Sequence, residues 1–444
     1  MTAADSAYPD RIRHLGDLIS ERGRPARRVH GTVSAVKGLA IRARLPGAGV
    51  GDAVTVSSRN GRLQGEVVGF DGREATVMLT GDTAGVSTGD MVTPLGRPLS
   101  VRCGNFLLGR VLDGLGSPID GRPIPAGPAV LMPLCAAPPD PLLRRPISEV
   151  FITGVRAIDG LITLGRGQRV GLFAGSGVGK STLLGNIARH ASSDVNVICL
   201  VGERGREVGE FIRGSLGPMG LLRSVVICAT GDRPPMLRLK AACTATAIAE
   251  YFRDTGKNVL LMMDSVTRLA RAQREIGLAA GEPPARQGYP PSVFRILPEL
   301  MERAGNGAHG TMTAIYTVLV ASGDMEEPIA DEVRGILDGH VVMSRELAHR
   351  NHYPAIDVPA SLSRLMSTVV GADHRAAAGR FRSLLSRYES GRDLISIGAY
   401  RKGADPLLDE AVAANEPLCS YLAQGGEPSP FETTVERLLE LCSN

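Results

Sequence analysis

A glycine-rich loop between a strand and a helix constrains this chain more than any other feature. The strand "RVGLFA" (169–174) runs into "GSGVGK" (175–180), and "STLLGNIARH" (181–190) continues as a helix. Glycines permit backbone angles that turn several N–H groups towards one anion, and the helix N-terminus adds the positive end of its dipole. The arrangement predicts a phosphate-binding loop on an α/β sheet.

The loop departs from the pattern G-x-x-x-x-G-K-[ST] at its first position, where Ala174 stands. Alanine costs little there if its φ angle is negative. Lys180 can reach the β- and γ-phosphates of a nucleotide, and the hydroxyl of Ser181 is suited to Mg²⁺. The residues that we expect to bind ATP are Gly175, Ser176, Gly177, Val178, Gly179, Lys180, Ser181 and Thr182.

An aspartate closes another apolar strand. Asp264 is the last residue of "NVLLMMD" (258–264). A buried strand that ends in aspartate is the usual partner of a phosphate loop, because it places a carboxylate near the metal ion, often through water. Together with Lys180 this weak pattern becomes specific, and we assign Ser181 and Asp264 to a Mg²⁺ site.

A second carboxylate, Glu203, follows the strand "NVICLV" (196–201). Open α/β sheets bind ligands at the carboxyl ends of their strands, and hydrolysis needs a carboxylate to orient or polarise the attacking water. The residues alone leave two interpretations equally open, a catalytic Glu203 or a loop ion pair between Glu203 and Arg204. Glu207 and Glu210 are rival carboxylates with the same alternatives.

The remainder of the chain predicts three kinds of structure. Residues 28–94 contain the alternating strand "LAIRARL" and the hairpin dipeptides Asn60-Gly61 and Asp71-Gly72, which favour an antiparallel β-barrel. Residues 95–370 alternate short apolar runs with helical stretches, the βαβ pattern of a doubly wound parallel sheet. Residues 371–444 repeat apolar side chains at helical spacing. The fold class is therefore α/β with a separate barrel and a helical C-terminal domain.

Residues 1–27 are predicted to be an N-terminal amphipathic segment, in which a possible helix over 9–22 is followed by basic residues up to Arg28. It is either a short helix packed on its own domain or a docking arm for a partner or a membrane surface. Its apolar residues lie near one face of a predicted helix: Ile12, Leu15, Leu18 and Ile19.

Charge and cysteine content limit the possible binding partners and the cellular compartment of the protein. The 50 basic and 46 acidic residues give a net charge of +4, which does not by itself indicate a nucleic-acid binder. The seven cysteines contain no C-x-x-C pair and are typical of reduced, mostly buried thiols. The N-terminus lacks an apolar signal core, and no uncharged apolar run is long enough to span a membrane. We expect a cytoplasmic protein.

Taken together, these residues resemble the hexameric ATPases related to the catalytic heads of rotary ATP synthases. "PAIDVPASLS" (354–363) fits the pattern P-[SAP]-[LIV]-[DNH]-x-x-x-S-x-S of that superfamily. Within it the chain is most similar to the type III export ATPases, and "FAGSGVGKS" and "ISIGAY" resemble the flagellar branch more than the virulence-injection branch. The further matching segments are "GLFAGSGVGKS", "ERGREV", "MDSVTRLARAQREIGLAAGEPPARQGYPPSVF" and "GILDGHVVMSRELAHRNHYPAIDV".

The resemblance implies an ATPase with a P-loop RecA-like core. It makes Glu203 the catalytic glutamate beside Lys180, and it implies that Arg364 is an arginine finger supplied by a neighbouring subunit, although a surface or interface salt bridge is the alternative. Because one chain carries all three groups, a homohexamer is favoured over a ring of two subunit kinds. Tyr353 matches the aromatic residue that stacks on adenine, whereas Phe431 is better explained as a core aromatic.

Three departures from the family pattern stand out. Gln287 replaces a residue that is often basic, and Gly209 replaces one that is commonly charged. Pro359 stands where leucine is usual, inside the strand that leads to Arg364, so the geometry of that arginine is the least secure part of the prediction.

The family role is to energise export of unfolded protein subunits through a membrane-embedded gate. The partners that the resemblance implies are the export gate, a central stalk protein, substrate–chaperone complexes and a coiled-coil regulator at the N-terminal segment. It places the protein peripherally at the inner face of the membrane, without nucleic acid.

Other functions share parts of this pattern. A catalytic subunit of a rotary ATP synthase has the same core but normally works with a second, homologous subunit, and a virulence secretion ATPase differs little in sequence. An RNA translocase needs an aromatic-bearing basic domain near its N-terminus, whereas Phe70 is the one aromatic residue in 28–94. A noncatalytic nucleotide-binding module would lack the carboxylate of Glu203.

Overall fold

The computed structural model describes residues 30–320 and 323–442. The amphipathic segment predicted at 1–27 lies outside the described residues. The chain divides into two compact units, one ending at Pro98 and one beginning at Leu99.

The strands are β1 Gly31–Lys37, β2 Ala40–Arg44, β3 Ala53–Ser58, β4 Gly61–Asp71, β5 Glu74–Leu79, β6 Met91–Pro94, β7 Ser100–Cys103, β8 Arg110–Leu112, β9 Val130–Pro133, β10 Val150–Phe151, β11 Leu164–Gly165, β12 Arg169–Ala174, β13 Val195–Val201, β14 Ser224–Ala229, β15 Asn258–Asp264, β16 Thr311–Leu319, β17 Gly339–Met343 and β18 Ile356–Ser363. The α-helices are α1 Arg156–Leu161, α2 Lys180–His190, α3 Gly205–Glu210, α4 Gly217–Leu222, α5 Pro235–Asp254, α6 Val266–Ala279, α7 Pro291–Met301, α8 Pro328–Ile336, α9 Arg345–His349, α10 Met366–Val369, α11 Ala372–Ser396, α12 Pro406–Leu422 and α13 Phe431–Cys442. Short 3₁₀ turns cover Asn105–Leu107, Pro141–Leu143 and Arg286–Gly288, and a π turn covers Phe211–Leu216.

The first unit is the predicted barrel, closed in the order β1-β2-β5-β4-β3-β6. The hairpin glycines Gly61 and Gly72 have φ angles of 112° and 60°, so both turn predictions are confirmed. Alternate side chains along each strand fill the interior, as the pleat of a closed sheet requires. The interior residues are Val33, Ile41, Ala43, Leu45, Val54, Val56, Val67, Ala75, Val77, Leu79 and Val92.

The second unit contains an eight-stranded sheet in the order β18-β17-β12-β16-β15-β13-β14-β8. Neighbouring strands run parallel except β17 and β18, which are antiparallel. β13 and β15 are buried along almost their whole length, as in a parallel sheet covered by helices. Parallel strands end at one edge, so this order brings together the residues that follow β12, β15 and β13.

Helices α11, α12 and α13 share one apolar core with α1, α2 and the sheet. The Phe381 and Tyr421 rings pack with centroids 5.3 Å apart, and the Tyr421 hydroxyl donates to the Thr434 carbonyl at 3.1 Å. The predicted helical C-terminal region is confirmed. None of the helices in the described ranges combines the length and the apolar content that a membrane crossing requires.

Candidate functional site

The phosphate loop occupies residues 175–179, between β12 and α2. Ala174, at the first position of the loop pattern, is the last residue of β12 and pairs with Leu319 on one side and Met343 on the other. Its backbone is therefore extended, where any L-residue fits without strain. Alanine is compatible with a working loop.

The loop glycines meet two different requirements. Gly177 and Gly179 have φ angles of 79° and 84°, in the left-handed region that favours glycine. A Cβ at Gly175 would lie 2.6 Å from Nε of Arg345, so a larger residue would fit there only if that flexible side chain at the start of α9 moved. Within the described residues no side chain caps α2, which leaves its first N–H groups for an anion.

Lys180 lies between two carboxylates. Its Nζ contacts Oδ1 of Asp264 and is 3.9 Å from Oε1 of Glu203. The same Asp264 oxygen accepts a hydrogen bond of 2.7 Å from the hydroxyl of Thr317 on β16. The side chains of Lys180, Glu203 and Asp264 are largely buried. The structure thus brings together the loop lysine and both carboxylates that the sequence selected.

The rival carboxylates are paired with arginines on α3, and the carboxyl group of Glu207 also hydrogen-bonds with that of Glu203. Arg204 pairs with Glu207 at 3.3 Å, and Arg206 pairs with Glu210 at 3.1 Å, both on the outer side of α3. These pairs are exposed and resemble ordinary surface ion pairs. The suggested ion pair between Glu203 and Arg204 is wrong, because Arg204 faces its neighbour on the helix.

Glu203 instead binds Arg268, a residue of α6. Nε of Arg268 is 3.2 Å from one carboxylate oxygen, and the terminal nitrogen is 3.3 Å from the other. Burial raises the pKa of Glu203 to about 7, and the nearby charge of Asp264 acts in the same direction. Lys180 and Arg268 offset only part of that pKa rise. The carboxyl group therefore exchanges protons near neutral pH, as a group that accepts a proton from water should.

A cavity of about 440 Å³ opens beside the loop and α2. Thr182 and Leu183 line it from the helix, and the half-exposed ring of Tyr353 lines it from the segment before β18. An edge of that ring lies 3.5 Å from the position that a Cβ at Gly179 would take. The size, the apolar lining and the aromatic ring suit the base and ribose of a nucleotide.

The loop after α12 forms another wall of this cavity, through Gln424. Its Oε1 accepts the backbone N–H of Arg156 at 2.8 Å, and its Nε2 donates to the carbonyls of Gly154 and Glu427, each at 2.8 Å. Its own N–H donates to the carbonyl of Tyr353 at 2.8 Å. One side chain and its backbone therefore join three segments around the pocket.

Oxygen donors suited to a Mg²⁺ ion lie beside the phosphate loop. Among the residues that the structure describes, no three His, Cys, Asp or Glu side chains could hold a metal ion by themselves. A Mg²⁺ ion that accompanies phosphates needs only one or two protein oxygen ligands. The exposed Ser181 hydroxyl on the first turn of α2 and the Asp264 carboxylate offer this hard-oxygen chemistry, so the residues fit the ion.

Comparison with known proteins identifies the family. The profile of the ATP synthase alpha/beta family matches residues 154–363 with its nucleotide-binding domain and 33–96 with its beta-barrel domain. The T3SS EscN ATPase C-terminal domain matches residues 370–440. A Flagellum-specific ATP synthase of Bacillus subtilis (strain 168) is 51% identical over 421 residues, 94% of this chain and 95% of that protein. The chain belongs to the type III export ATPase family.

Two further relatives agree with this assignment. A Type 3 secretion system ATPase of Xanthomonas euvesicatoria is 53% identical over 414 residues, 93% of each protein. The assembled ATPase EscN of the enteropathogenic E. coli type III secretion system superposes with a TM-score of 0.88 at 48% identity, over 93% of this chain and 100% of that one. EscN has also been solved in complex with its central stalk EscO. The predictions of fold, family and ATPase activity are confirmed.

In this export ATPase Arg364 does not join the other site residues. It is exposed, directly follows β18, and its N–H donates to the carbonyl of Asp338 at 3.0 Å. The Asp338 carboxylate also accepts hydrogen bonds from the backbone N–H and the guanidinium of Arg169, the first residue of β12. Arg364 thus lies at the end of the sheet where β12 begins, and the phosphate loop follows the opposite end of β12.

Pro359 does not interrupt the strand that leads to Arg364. β18 is the last strand of the sheet, and its pairing with β17 shifts register between His340 and Val342. Proline lacks an N–H group, and an edge strand with such an irregularity tolerates it. The strand continues to Ser363.

Sequence reasoning missed two residues that the geometry selects, Arg268 and Gln424. Arg268 lies four residues after Asp264, one helical turn along α6, so it returns to the same edge of the sheet. Gln424 had no local signal, because its partners Arg156 and Gly154 are about 270 residues away along the chain. Phe431 pairs with the His374 ring at 6.0 Å, in keeping with the preferred core interpretation.

Proposed function

We propose that this export ATPase hydrolyses Mg-ATP at the interfaces of a homohexamer and that hydrolysis energises the export of flagellar protein subunits. The observation that carries the proposal is that Lys180 and Arg364 lie at opposite ends of the strands of one sheet. The six residues of β12 separate those two ends by roughly 16 Å. Arg364 therefore cannot reach the phosphate loop of its own chain, and a neighbouring copy in a head-to-tail ring is its natural recipient.

The chemistry follows from the groups around the loop. Lys180 and the N–H groups at the start of α2 bind the β- and γ-phosphates. The Glu203 carboxylate, held by Arg268, orients the attacking water and accepts its proton. A Mg²⁺ ion held by Ser181 and Asp264 supplies positive charge to the phosphate oxygens. The neighbour's Arg364 neutralises charge that develops on the transferred phosphoryl group.

The base pocket links this chemistry to the helical region. Tyr353 contacts the adenine ring, and Gln424 joins the wall after α12 to the segment around Gly154. A movement of the pocket wall on nucleotide binding is therefore transmitted to the C-terminal helices. We propose that these helices face the central stalk, the membrane gate and substrate–chaperone complexes. EscN binds its central stalk EscO, which supports this arrangement. We propose that the segment 1–27 binds a coiled-coil regulator. The ring would lie at the inner face of the membrane.

The match of the secretion-type C-terminal domain to residues 370–440 favours export over ATP synthesis. The flagellar branch rests on "FAGSGVGKS" and "ISIGAY", since flagellar and secretion relatives are 51% and 53% identical. Expression in a B. subtilis strain that lacks its own flagellum-specific ATP synthase should restore swimming. Recovery of secretion in an X. euvesicatoria strain without its secretion ATPase, with no recovery of swimming, would assign the other branch.

Mixing two inactive variants tests the shared site. Glu203→Gln removes the carboxylate, and Arg364→Ala removes the guanidinium, so each variant alone should bind nucleotide but hydrolyse it poorly. In a random ring of equal amounts, about one quarter of the sites combine an intact Glu203 with an intact neighbouring Arg364. ATPase activity should therefore return to about a quarter of the wild-type value on mixing.

The control adds Lys180→Ala to the Arg364→Ala chain, which removes nucleotide binding from the only sites that mixing can repair. This mixture should stay inactive. Co-sedimentation verifies that the two variants enter the same ring. A co-assembled mixture that stays inactive without the control substitution would contradict a site shared between chains.

A further inference from the structure

A second reactive cluster lies apart from the nucleotide site, around Cys135. This residue is exposed and follows β9 by two positions, and its sulfur lies 3.5 Å from Nζ of Lys240. Lys240 and Cys243 belong to α5, three residues apart on one face, and both are buried. The proposed ATPase mechanism does not use this cluster.

The surroundings of Cys135 favour the thiolate. A hydrogen bond from the Cys243 thiol and the positive charges of Lys240 and Arg303 lower the pKa of Cys135 to about 5, against the effect of burial. Arg303 is itself paired with Glu250 and donates to the carbonyl of Leu134 at 2.7 Å.

The six other cysteines differ. Burial raises the pKa of each, to about 12 for Cys103 and about 11 for Cys228, with Cys135 as a further and larger cause at Cys243. Cys419 and Cys442 are half-buried and serve as internal comparisons. Among the seven cysteines, Cys135 therefore combines an exposed residue, a lowered pKa and a second thiol beside its own.

We propose that Cys135 is an oxidant-sensitive residue that forms a disulfide with Cys243 when a hydroperoxide reaches it. The Cys135 thiolate attacks one peroxide oxygen, the O–O bond breaks, and the departing hydroxide takes a proton to leave as water when the peroxide is hydrogen peroxide. The Cys135 sulfur is then a sulfenic acid. The Cys243 sulfur attacks it, the S–O bond breaks, and a second water leaves. Two thiols and one peroxide yield one disulfide and two waters.

The cross-link would join the segment after β9 to α5. That helix packs against β13 and β15, the strands that lead to Glu203 and Asp264. Oxidation should thus stabilise the unit that contains the catalytic site, and reduction should reverse the effect. Lys240 positions the thiolate, and Cys243 resolves the sulfenic acid.

The first experiment measures alkylation of the full-length protein by iodoacetamide from pH 4.5 to 9, with each cysteine resolved by peptide mass spectrometry. At pH 6 Cys135 should react at least about tenfold faster than Cys419 or Cys442, after allowance for the lower intrinsic nucleophilicity of a low-pKa thiolate. Its rate should be level above pH 6 and fall below pH 5. Lys240→Met should lower the rate at pH 6, whereas Lys240→Arg should preserve it. Equal rates for the three cysteines in the wild-type chain would overturn the proposal.

The second experiment adds a small excess of hydrogen peroxide at pH 7 and maps disulfides. The wild-type chain should give a disulfide-linked pair of peptides containing Cys135 and Cys243, and dithiothreitol should separate them by reduction. The oxidised protein should have a higher Tm than the reduced protein. Cys243→Ser should leave a Cys135 sulfenic acid that dimedone traps, and Cys135→Ser should give neither product. A reduced Cys135 in wild-type protein whose Cys419 and Cys442 are oxidised would refute the assignment. Because neither experiment needs ATP, the result does not depend on the proposed export function.

Discussion

The guanidinium of Arg268 spans the carboxylate of Glu203, with contacts of 3.2 and 3.3 Å to its two oxygens. A paired contact of this kind fixes the plane of the carboxylate as well as its position. A carboxylate that orients water must point in one direction at the moment of reaction, so we propose that Arg268 is a positioning residue for hydrolysis.

Replacement of Arg268 by Gln should lower kcat about 100-fold, because loss of one fixed charged donor commonly has this effect in an active site. Nucleotide affinity should change little, since Arg268 contacts Glu203 rather than the loop. Steady-state ATPase assays will measure kcat, and separate binding experiments will measure nucleotide affinity. Arg271→Gln, an exposed position on the same helix, is the matched control and should keep wild-type activity. A large loss of affinity with unchanged kcat would contradict the positioning role.

The pH dependence of hydrolysis should reflect Glu203. Its pKa in the folded protein, about 7, lies above the ordinary value, so the protonated form dominates below pH 7 and the carboxylate appears as the pH rises. We expect kcat/KM to fall about tenfold per unit below pH 7, since it reports the free enzyme. Assays from pH 5 to 9 in buffers of constant ionic strength test this. A level profile down to pH 5.5 would exclude Glu203 as the group that accepts the proton.

Gln424 should control nucleotide affinity without taking part in chemistry. Gln424→Leu removes one acceptor and two donors that hold the pocket wall, and three backbone groups lose their partner. We expect KM for ATP to rise about tenfold while kcat stays within a factor of two, an effect equivalent to loss of one or two hydrogen bonds. Gln424→Glu, which keeps the acceptor but loses the donors, should be intermediate. A fall in kcat at unchanged KM would place Gln424 in another role.

Tyr353 should recognise the base rather than the phosphates. Tyr353→Ala should weaken ATP binding about tenfold or more, because stacking on one base is worth about 1–3 kcal/mol. Tyr353→Phe should bind like the wild type, since the hydroxyl makes only a long contact of 3.5 Å with the Ala348 carbonyl. Inorganic tripolyphosphate, which lacks a base, is the control ligand in calorimetry. Its affinity should be the same for all three proteins, and an equal loss for both ligands would show a disturbed loop.

The features that could be predicted from sequence are those encoded locally. The strand, loop and helix around Lys180 lie within about 20 consecutive residues, and each hairpin of the barrel is marked by its own glycine. Asp264 is 84 residues from Lys180, yet it was found because the two patterns occur together on parallel strands. The order of the strands had no such signal, because it depends on packing between segments distant in sequence.

The parts that sequence reasoning missed depend on burial and on distant partners. Cys135 was grouped with reduced, mostly buried thiols, but its exposure and the closeness of Lys240 emerge only when β9 and α5 pack together. Glu203 could not be separated from its rivals by spacing, since Glu207 and Glu210 are equally charged. Burial made the distinction, because Glu203 is buried, whereas Glu207, which hydrogen-bonds with it, and Glu210 are more exposed and pair with surface arginines.

The antiparallel course of β18 has a last consequence for a ring. Each chain presents an arginine at one end of its sheet and a phosphate loop at the other, so in the proposed ring every copy would give its arginine to one neighbour and receive an arginine from the neighbour on the other side. Viewed from one face, such a ring has the same sense, clockwise or anticlockwise, at every interface. Because each site would take its arginine from one defined neighbour, hydrolysis would affect the sites on its two sides differently. A single arginine at the end of an edge strand can thus give the whole catalytic cycle its direction.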